Sequence, residues 1–180
     1  FQHGFPRSRT DSLLIADSLA DKCILMVAID LPLHGITDTT NPLYDAAHER
    51  TFRLDLRAPT GTVDPTGTHF LNFANPLVTR DNYRQGAADL VALFKSLPGL
   101  NIEGDAAPDV DPTRIHFIGL SNGAITGIPT LPFVPFRTAS LADGGGGLTQ
   151  TVLESPQQTG PAIAFLGSQG LVQNSTIFNN

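Results

Sequence analysis

The 180 residues include 11 basic and 17 acidic side chains, a net charge of −6, and an apolar share of 41%. This length and composition fit one folded domain and exclude a disordered acidic tail. The negative charge opposes binding to a phosphate backbone, so we expect no nucleic-acid partner. No apolar run approaches the roughly 18 residues of a membrane-spanning helix, so we expect no stable membrane insertion. The N-terminal residues lack the charged leader and apolar segment of a signal peptide.

The first half of the chain predicts a helix, a strand and then a long irregular segment. A helix is expected over 10–21, capped by Thr10, with an inward apolar stripe formed by Leu14, Ile15 and Leu19. The run 24–29 is apolar without alternation, which is typical of a parallel strand covered on both faces. Residues 36–79 show no clear periodicity and many turn-forming residues, so we expect a lid-like or binding excursion there.

The second half of the chain predicts two further strands among helices. A helix is expected over 80–97, because apolar residues recur at helical spacing before a Pro-Gly stop signal. Two strands and two short helices are then expected, over 114–119, 137–142, 148–153 and 161–167. Strands that alternate with helices indicate a single α/β domain over 1–180, with a mostly parallel sheet flanked by helices.

One short motif carries most of the functional information. It has the form G-x-S-x-G, follows a predicted strand, precedes a segment that can begin a helix, and reads Gly119-Leu120-Ser121-Asn122-Gly123. A serine on such a sharp turn has strained backbone, and glycines two positions away on each side remove side chains that would clash. The turn presents the hydroxyl at the carboxyl edge of the sheet. We therefore predict that Ser121 is a nucleophile.

A second segment can complete this site. The N-terminal residues His3-Gly4-Phe5 form a loop that can place the backbone N–H of Phe5 opposite that of Asn122. Two N–H groups that converge on one point form an oxyanion hole, which stabilises the negative charge developing on a substrate oxygen. We therefore predict Phe5 and Asn122 as the oxyanion donors.

No other motif predicts a cofactor or a metal site. Cysteine and histidine do not cluster at zinc-binding spacing. The glycine run 144–147 lacks the lysine of a phosphate-binding loop and the context of a dinucleotide fingerprint. We expect neither a cofactor nor a metal.

Three segments together resemble a known family. They are the N-terminal Phe1-Gln2-His3-Gly4-Phe5, the segment Ala28-Ile29-Asp30-Leu31-Pro32-Leu33-His34-Gly35, and the G-x-S-x-G motif. The chain resembles α/β-hydrolases, specifically bacterial extracellular lipases of the Pla-1/cef type. The resemblance implies a carboxylic ester hydrolase that forms an acyl-enzyme on a small-molecule or lipid ester. It also implies an extracellular or cell-envelope location.

The order of residues departs from that family. The fold usually supplies its triad as Ser, then Asp or Glu, then His, yet all five histidines precede Ser121. The family's strand before the oxyanion loop would lie mostly ahead of Phe1, and its histidine loop beyond Asn180. We expect an incomplete hydrolase core: either part of a longer enzyme, or a shortened protein that recruits another base. Exposed sheet edges would then favour a homo-oligomer.

Candidates for the remaining catalytic roles follow from their places in the predicted fold. His34 follows a strand on the same sheet edge as Ser121, which makes it the favoured base. His3 and His69 are alternatives, although His3 is expected to be structural. Asp143 ends the strand after the serine motif and is predicted as the triad acid. A non-catalytic remnant that lacks its base is the competing interpretation.

Overall fold

The computed structural model describes residues 1–57, 59–105, 107–147, 150, 154–156 and 159–171. It is a mixed α/β protein with a small parallel sheet. The helices and strands used below are α1 (Leu13–Ala20), α2 (Pro76–Ser96), β1 (His116–Leu120), α3 (Asn122–Gly127), β2 (Thr138–Ala142) and α4 (Thr159–Ser168). Short 3-10 helices cover Arg9–Ser12, Leu97–Gly99 and Ile128–Thr130.

The sheet is parallel, as predicted. Strands β1 and β2 pair in register from His116 opposite Thr138 to Leu120 opposite Ala142. Gln2 extends this parallel arrangement beyond β1, because it forms isolated parallel bridges to Gly119 on one side and to Ile29 on the other. Because all these segments run in the same direction, the residues that follow them meet at one edge of the sheet. Among the described residues the outer edge of β2 pairs with no further strand.

The strand predicted over 24–29 is largely wrong. Only Ile29 makes a bridge, and the carbonyl oxygen of Val27 accepts a hydrogen bond of 2.7 Å from the amino group of Phe1. Ile24 and Leu25 are exposed. The run lies beside just two extended residues, Phe1 and Gln2, so backbone pairing is confined to its end. A parallel strand needs a neighbour along its whole length, and hydrophobicity alone does not reveal one.

The first helix is confirmed, whereas its predicted cap is wrong and its inward stripe is only partly right, because Ile15 and Leu19 are half-buried. The chain enters α1 through a 3-10 turn, and Thr10 lies inside that turn with its hydroxyl 2.8 Å from that of Ser8. Leu14, assigned to the inward stripe, is 79% exposed. In eight residues the apolar positions cover most of the helix circumference, so periodicity did not identify a single buried face.

The long helix α2 connects the excursion to the sheet. It begins at Pro76, four residues before the predicted start, because proline is well suited to the first turn of a helix. Leu90 and Phe94 are buried, and Phe94 packs in the core with Ile115 and Val134. The strands predicted over 114–119 and 137–142 and the helix predicted over 161–167 are confirmed within two residues, as β1, β2 and α4. The helix predicted over 148–153 falls almost entirely outside the described residues.

A buried ionic cluster anchors the excursion to the N-terminal segment. The Arg9 guanidinium forms ion pairs with Asp30 and with Glu49, the latter at 2.7 Å between Nη2 and Oε1. Oε2 of Glu49 also accepts the backbone N–H of Ile36 at 2.7 Å. Burial alone would raise the pKa of Glu49, but the hydrogen bonds from Arg9, Ile36 and Asp45 together hold it below its ordinary value of 4.5.

Replacing Glu49 with glutamine is expected to lower the free energy of unfolding at pH 7 by about 2 kcal/mol, because the charged hydrogen bonds to Arg9 are lost. The folded pKa lies below the ordinary 4.5, so this stabilisation is complete above pH 4.5 and disappears as pH falls through the folded pKa. Urea unfolding at pH 7 and at lower pH measures both effects. Asp81→Asn, in an exposed pair with Arg80, serves as control and should change little. A Glu49→Gln difference that is independent of pH would contradict this assignment.

Candidate active site

Ser121 occupies a strained turn between β1 and α3. Its backbone has φ 52° and ψ −119°, in a region that residues with a side chain rarely adopt. The N–H of Ser121 donates to the carbonyl oxygen of Ala142 at 2.8 Å, and its own carbonyl accepts from the N–H of Ile125 at 3.0 Å. These bonds to β2 and α3 hold the turn in place. Such strain is concentrated at functional sites when the surrounding structure enforces it.

The two glycines of the motif are sterically required. A Cβ on Gly119 would lie 2.8 Å from the Cα of Ala124. A Cβ on Gly123 would lie 2.6 Å from the carbonyl oxygen of His3 and closer still to that of Gln2. One glycine therefore lets the helix turn back over the strand, and the other lets that helix contact the N-terminal segment. The spacing in the sequence follows from these two contacts.

The loop at residues 3–5 lies against the serine. A Cβ built on Gly4 would be 3.1 Å from the Cβ of Ser121 and 3.7 Å from its Oγ, so the Ser121 side chain lies against this loop. A turn in which the N–H of Arg7 donates to the Gly4 carbonyl at 3.0 Å fixes its shape. Within the described residues, neither Phe5 nor Asn122 donates its backbone N–H to a protein acceptor. Two free donors thus flank the pair Gly4 and Ser121.

His3 is a buried cross-link. Its Nε2 accepts the backbone N–H of Leu31 at 3.0 Å, so the ring proton lies on Nδ1, which is 2.7 Å from the Gly4 carbonyl oxygen. Burial lowers the pKa of this ring and keeps it neutral, although Asp30 is nearby. With both nitrogens bonded to the backbone, His3 holds the loop at residues 3–5 against the segment that follows Ile29.

The structure does not support His34 as the base. The ring is fully buried, and its Nδ1 lies 2.9 Å from the carbonyl oxygen of Pro32. The opposite edge faces Gly67, where a Cβ would lie 2.7 Å from Cδ2 and closer still to Nε2. Burial lowers the pKa of His34 to about 4. A base must present a nitrogen to the serine, whereas this nitrogen is closed in by the backbone of the excursion.

The other histidines are also bonded away from the serine. His69 pairs with Asp64 at 2.9 Å. His48 pairs with Asp45 at 2.7 Å. His116 lies exposed at the start of β1, and its Nδ1 is hydrogen-bonded to the hydroxyl of Thr138. Across the described ranges, no histidine nitrogen forms a hydrogen bond with Ser121 Oγ.

Asp143 lies at the sheet edge where it was predicted. It follows β2 directly, has φ 51°, and is exposed. Its neighbour Ala142 accepts the N–H of Ser121, so the two loops that carry the acid and the nucleophile are joined through the backbone. No histidine forms a hydrogen bond or an ion pair with Asp143 among the described residues. The structure therefore places the loop that carries Phe5 against Ser121, the residue before Asn122, and leaves Asp143 on the neighbouring loop.

Tyr83 is a site residue that the sequence analysis missed. Its hydroxyl donates to the side-chain oxygen of Asn122 at 2.9 Å, and burial raises its pKa to about 12. Tyr83 lies three residues before the buried Gly86, on the stripe that continues to Leu90 and Phe94. That spacing could have placed Tyr83 on the inward face of α2, but it could not have identified the partner across the fold.

The described residues contain a cavity of about 430 Å³ that lies away from this site. It is lined by the beginnings of β1 and β2, the segment 23–27 and the apolar face of α2, and it touches neither Ser121 nor the loop at residues 3–5. In this part of the chain no group of three His, Cys, Asp or Glu side chains could hold a metal ion. No described helix is long and apolar enough to cross a membrane.

Comparisons with family models, with curated proteins and with solved structures found no match to this chain.

Proposed function

We propose that this chain is a carboxylic ester hydrolase of the α/β-hydrolase type, with Ser121 as its nucleophile. The observation that carries the proposal is the strained backbone of Ser121 between a parallel strand and a helix, with its side chain packed against the loop at residues 3–5. The order of the paired segments, in which Gln2 lies between Ile29 and β1, supports the α/β-hydrolase type of fold. Strained turns of this kind expose a nucleophile above the edge of a parallel sheet.

The proposed reaction proceeds through an acyl-enzyme. Ser121 Oγ attacks the ester carbonyl carbon and gives up its proton to a general base, so that a tetrahedral intermediate forms. The N–H groups of Phe5 and Asn122 donate to its negatively charged oxygen. The C–O bond to the alcohol then breaks, the alcohol leaves with a proton, and water releases the acid from the serine. Asp143 is the proposed acid partner, and the base has no assigned residue.

The substrate is proposed to be a small-molecule or lipid ester. Phe5 is 38% exposed beside the nucleophile and can contact an apolar acyl or alcohol group. Its ring is held edge-on against His34 at a centroid distance of 6.0 Å, so this surface has a fixed orientation.

Covalent labelling tests the nucleophile directly. In a p-nitrophenyl alkylphosphonate, attack by Ser121 forms an O–P bond as the P–O bond to p-nitrophenolate breaks. Peptide mass analysis is expected to find one phosphonyl group per chain, on the peptide that contains Ser121, together with release of one equivalent of p-nitrophenolate. Ser121→Ala should remain unlabelled, and Ser18→Ala, at an exposed position of α1, should label normally. A label on another serine would overturn the proposal.

A non-catalytic ester-binding protein is the second candidate. It is favoured by one observation, that all five histidines bond to groups other than Ser121. A protein of this kind would bind a trifluoromethyl ketone analogue and yet release no p-nitrophenol from an ester above the blank rate. Binding without labelling and without turnover would therefore favour this candidate over the hydrolase.

A further inference from the structure

A row of buried rings joins the two sides of the candidate site. His3 and His34 lie 5.0 Å apart between ring centroids, His34 and Phe70 lie 5.1 Å apart, and Phe70 and Tyr83 lie 4.9 Å apart. The first three of these side chains are fully buried. The row, called the aromatic bracket below, starts at the oxyanion loop, passes through the excursion at Phe70 and ends on α2.

Each end of the bracket makes a hydrogen bond next to an oxyanion donor. At one end, His3 Nδ1–H donates to the carbonyl oxygen of Gly4, the residue before Phe5. At the other end, the Tyr83 hydroxyl donates to the side chain of Asn122. The two donors are therefore connected through packed rings as well as through the contact between Gly4 and Ser121.

The position of the Asn122 side chain depends mainly on one hydrogen bond, the one from Tyr83. Helix α3 has only six residues, and the Ser121 side chain makes no capping hydrogen bond. Asn122 is 5% exposed, and its side-chain nitrogen has no partner among the described residues. The hydroxyl of Tyr83 is thus the side-chain group that fixes Asn122. Phe70 packs against the Tyr83 ring, and Asn82 bonds the Phe70 carbonyl at 2.9 Å, which ties the excursion to α2.

We propose that Tyr83 is a positioning residue that, through the aromatic bracket, sets where the backbone N–H of Asn122 lies relative to that of Phe5. This inference rests on the proposed function, because it assigns Tyr83 to the same oxyanion site. It also gives His34 a role: the ring is a packed member of the bracket, in agreement with its closed-in nitrogen. The excursion then contributes to the architecture of the site through Phe70.

Tyr83→Phe tests the proposal, since it removes the hydroxyl and keeps the ring. We expect kcat for a p-nitrophenyl ester to fall about tenfold while KM stays within about twofold, because a misplaced donor weakens the transition state more than the ground state. The affinity for a trifluoromethyl ketone, whose adduct carries the oxyanion, should fall by the same factor. Tyr44→Phe is the matched control: it removes a hydroxyl that bonds Arg53 at 3.1 Å, and it should leave all three values unchanged.

The outcomes separate this inference from the proposed function. Hydrolysis that requires Ser121 but is equal in the Tyr83→Phe and unsubstituted chains would overturn the positioning role and leave the hydrolase intact. The pH–rate profile of Tyr83→Phe below pH 10 should have the same shape as that of the unsubstituted chain, because Tyr83, with its pKa of about 12, does not titrate there. A change in that shape would also overturn the positioning role. If the chain hydrolyses no ester, the chemical shift of the Asn122 backbone amide in ¹⁵N spectra still tests the positioning role. Tyr83→Phe should change this shift, and Tyr44→Phe should not. An unchanged shift in Tyr83→Phe would refute the role of the aromatic bracket.

Discussion

Replacing Ser121 with alanine is expected to lower kcat/KM for a p-nitrophenyl ester by at least about a thousandfold, the effect of removing the nucleophile from an acyl-enzyme mechanism. The variant keeps the backbone bonds from residue 121 to Ala142 and Ile125, neither of which involves the side chain. Slow residual hydrolysis should persist, because the N–H groups of Phe5 and Asn122 can still stabilise an oxyanion formed by attacking water. Initial rates at several substrate concentrations measure both the loss in kcat/KM and the residual hydrolysis.

The control separates loss of the hydroxyl from loss of the fold. Ser18→Ala changes a serine on the exposed side of α1 and should retain the full rate. Circular dichroism and urea unfolding should show that Ser121→Ala is folded with a stability close to that of the unsubstituted chain. A Ser121→Ala rate within twofold of the unsubstituted rate would remove Ser121 from the reaction, whatever the source of the activity.

The local features of the site could be predicted from the sequence because their causes are local. Gly119 is a glycine because of a contact with Ala124, made where the turn closes, so its spacing from Ser121 carries that geometry with it. Gly123 is required by a contact with residues 2–3, which the motif alone does not reveal. The paired strands β1 and β2 were predicted for a related reason. Each is a short run bounded by turn residues, and the two strands pair along their whole length.

The features that depend on distant parts of the chain could not be predicted. His34 lies near the expected sheet edge, but Gly67, more than thirty residues later, encloses its nitrogen. The partner of Tyr83 lies on another helix, and nothing in its own segment indicates that partner. The run 24–29 has the composition of a buried strand, yet pairing requires a neighbour that composition does not reveal. In each case the deciding contact joins segments far apart in the sequence.

Gly123→Ala is expected to be the most destabilising of the substitutions considered, at about 3 kcal/mol or more, because overpacking against fixed backbone cannot be relieved by a rotamer change. The added Cβ would meet the carbonyl groups of Gln2 and His3, and these atoms cannot simply withdraw. The Gln2 carbonyl accepts the N–H of Leu120 at 3.1 Å, and the Gln2 N–H donates to Ile118 at 2.9 Å. Movement of Gln2 would therefore break its pairing with β1.

Displacement of Gln2 should also remove activity, because the loop at residues 3–5 follows directly after Gln2 in the chain. Urea unfolding measures the loss of stability, and ester hydrolysis of the folded fraction measures the separate effect on the site. Gly99→Ala is the matched control: its Cβ would meet nothing within 4 Å, and its stability should change by less than about 0.5 kcal/mol. A Gly123→Ala chain as stable as this control would show that α3 does not pack against residues 2–3, and the arrangement of Ser121 facing the loop could not hold.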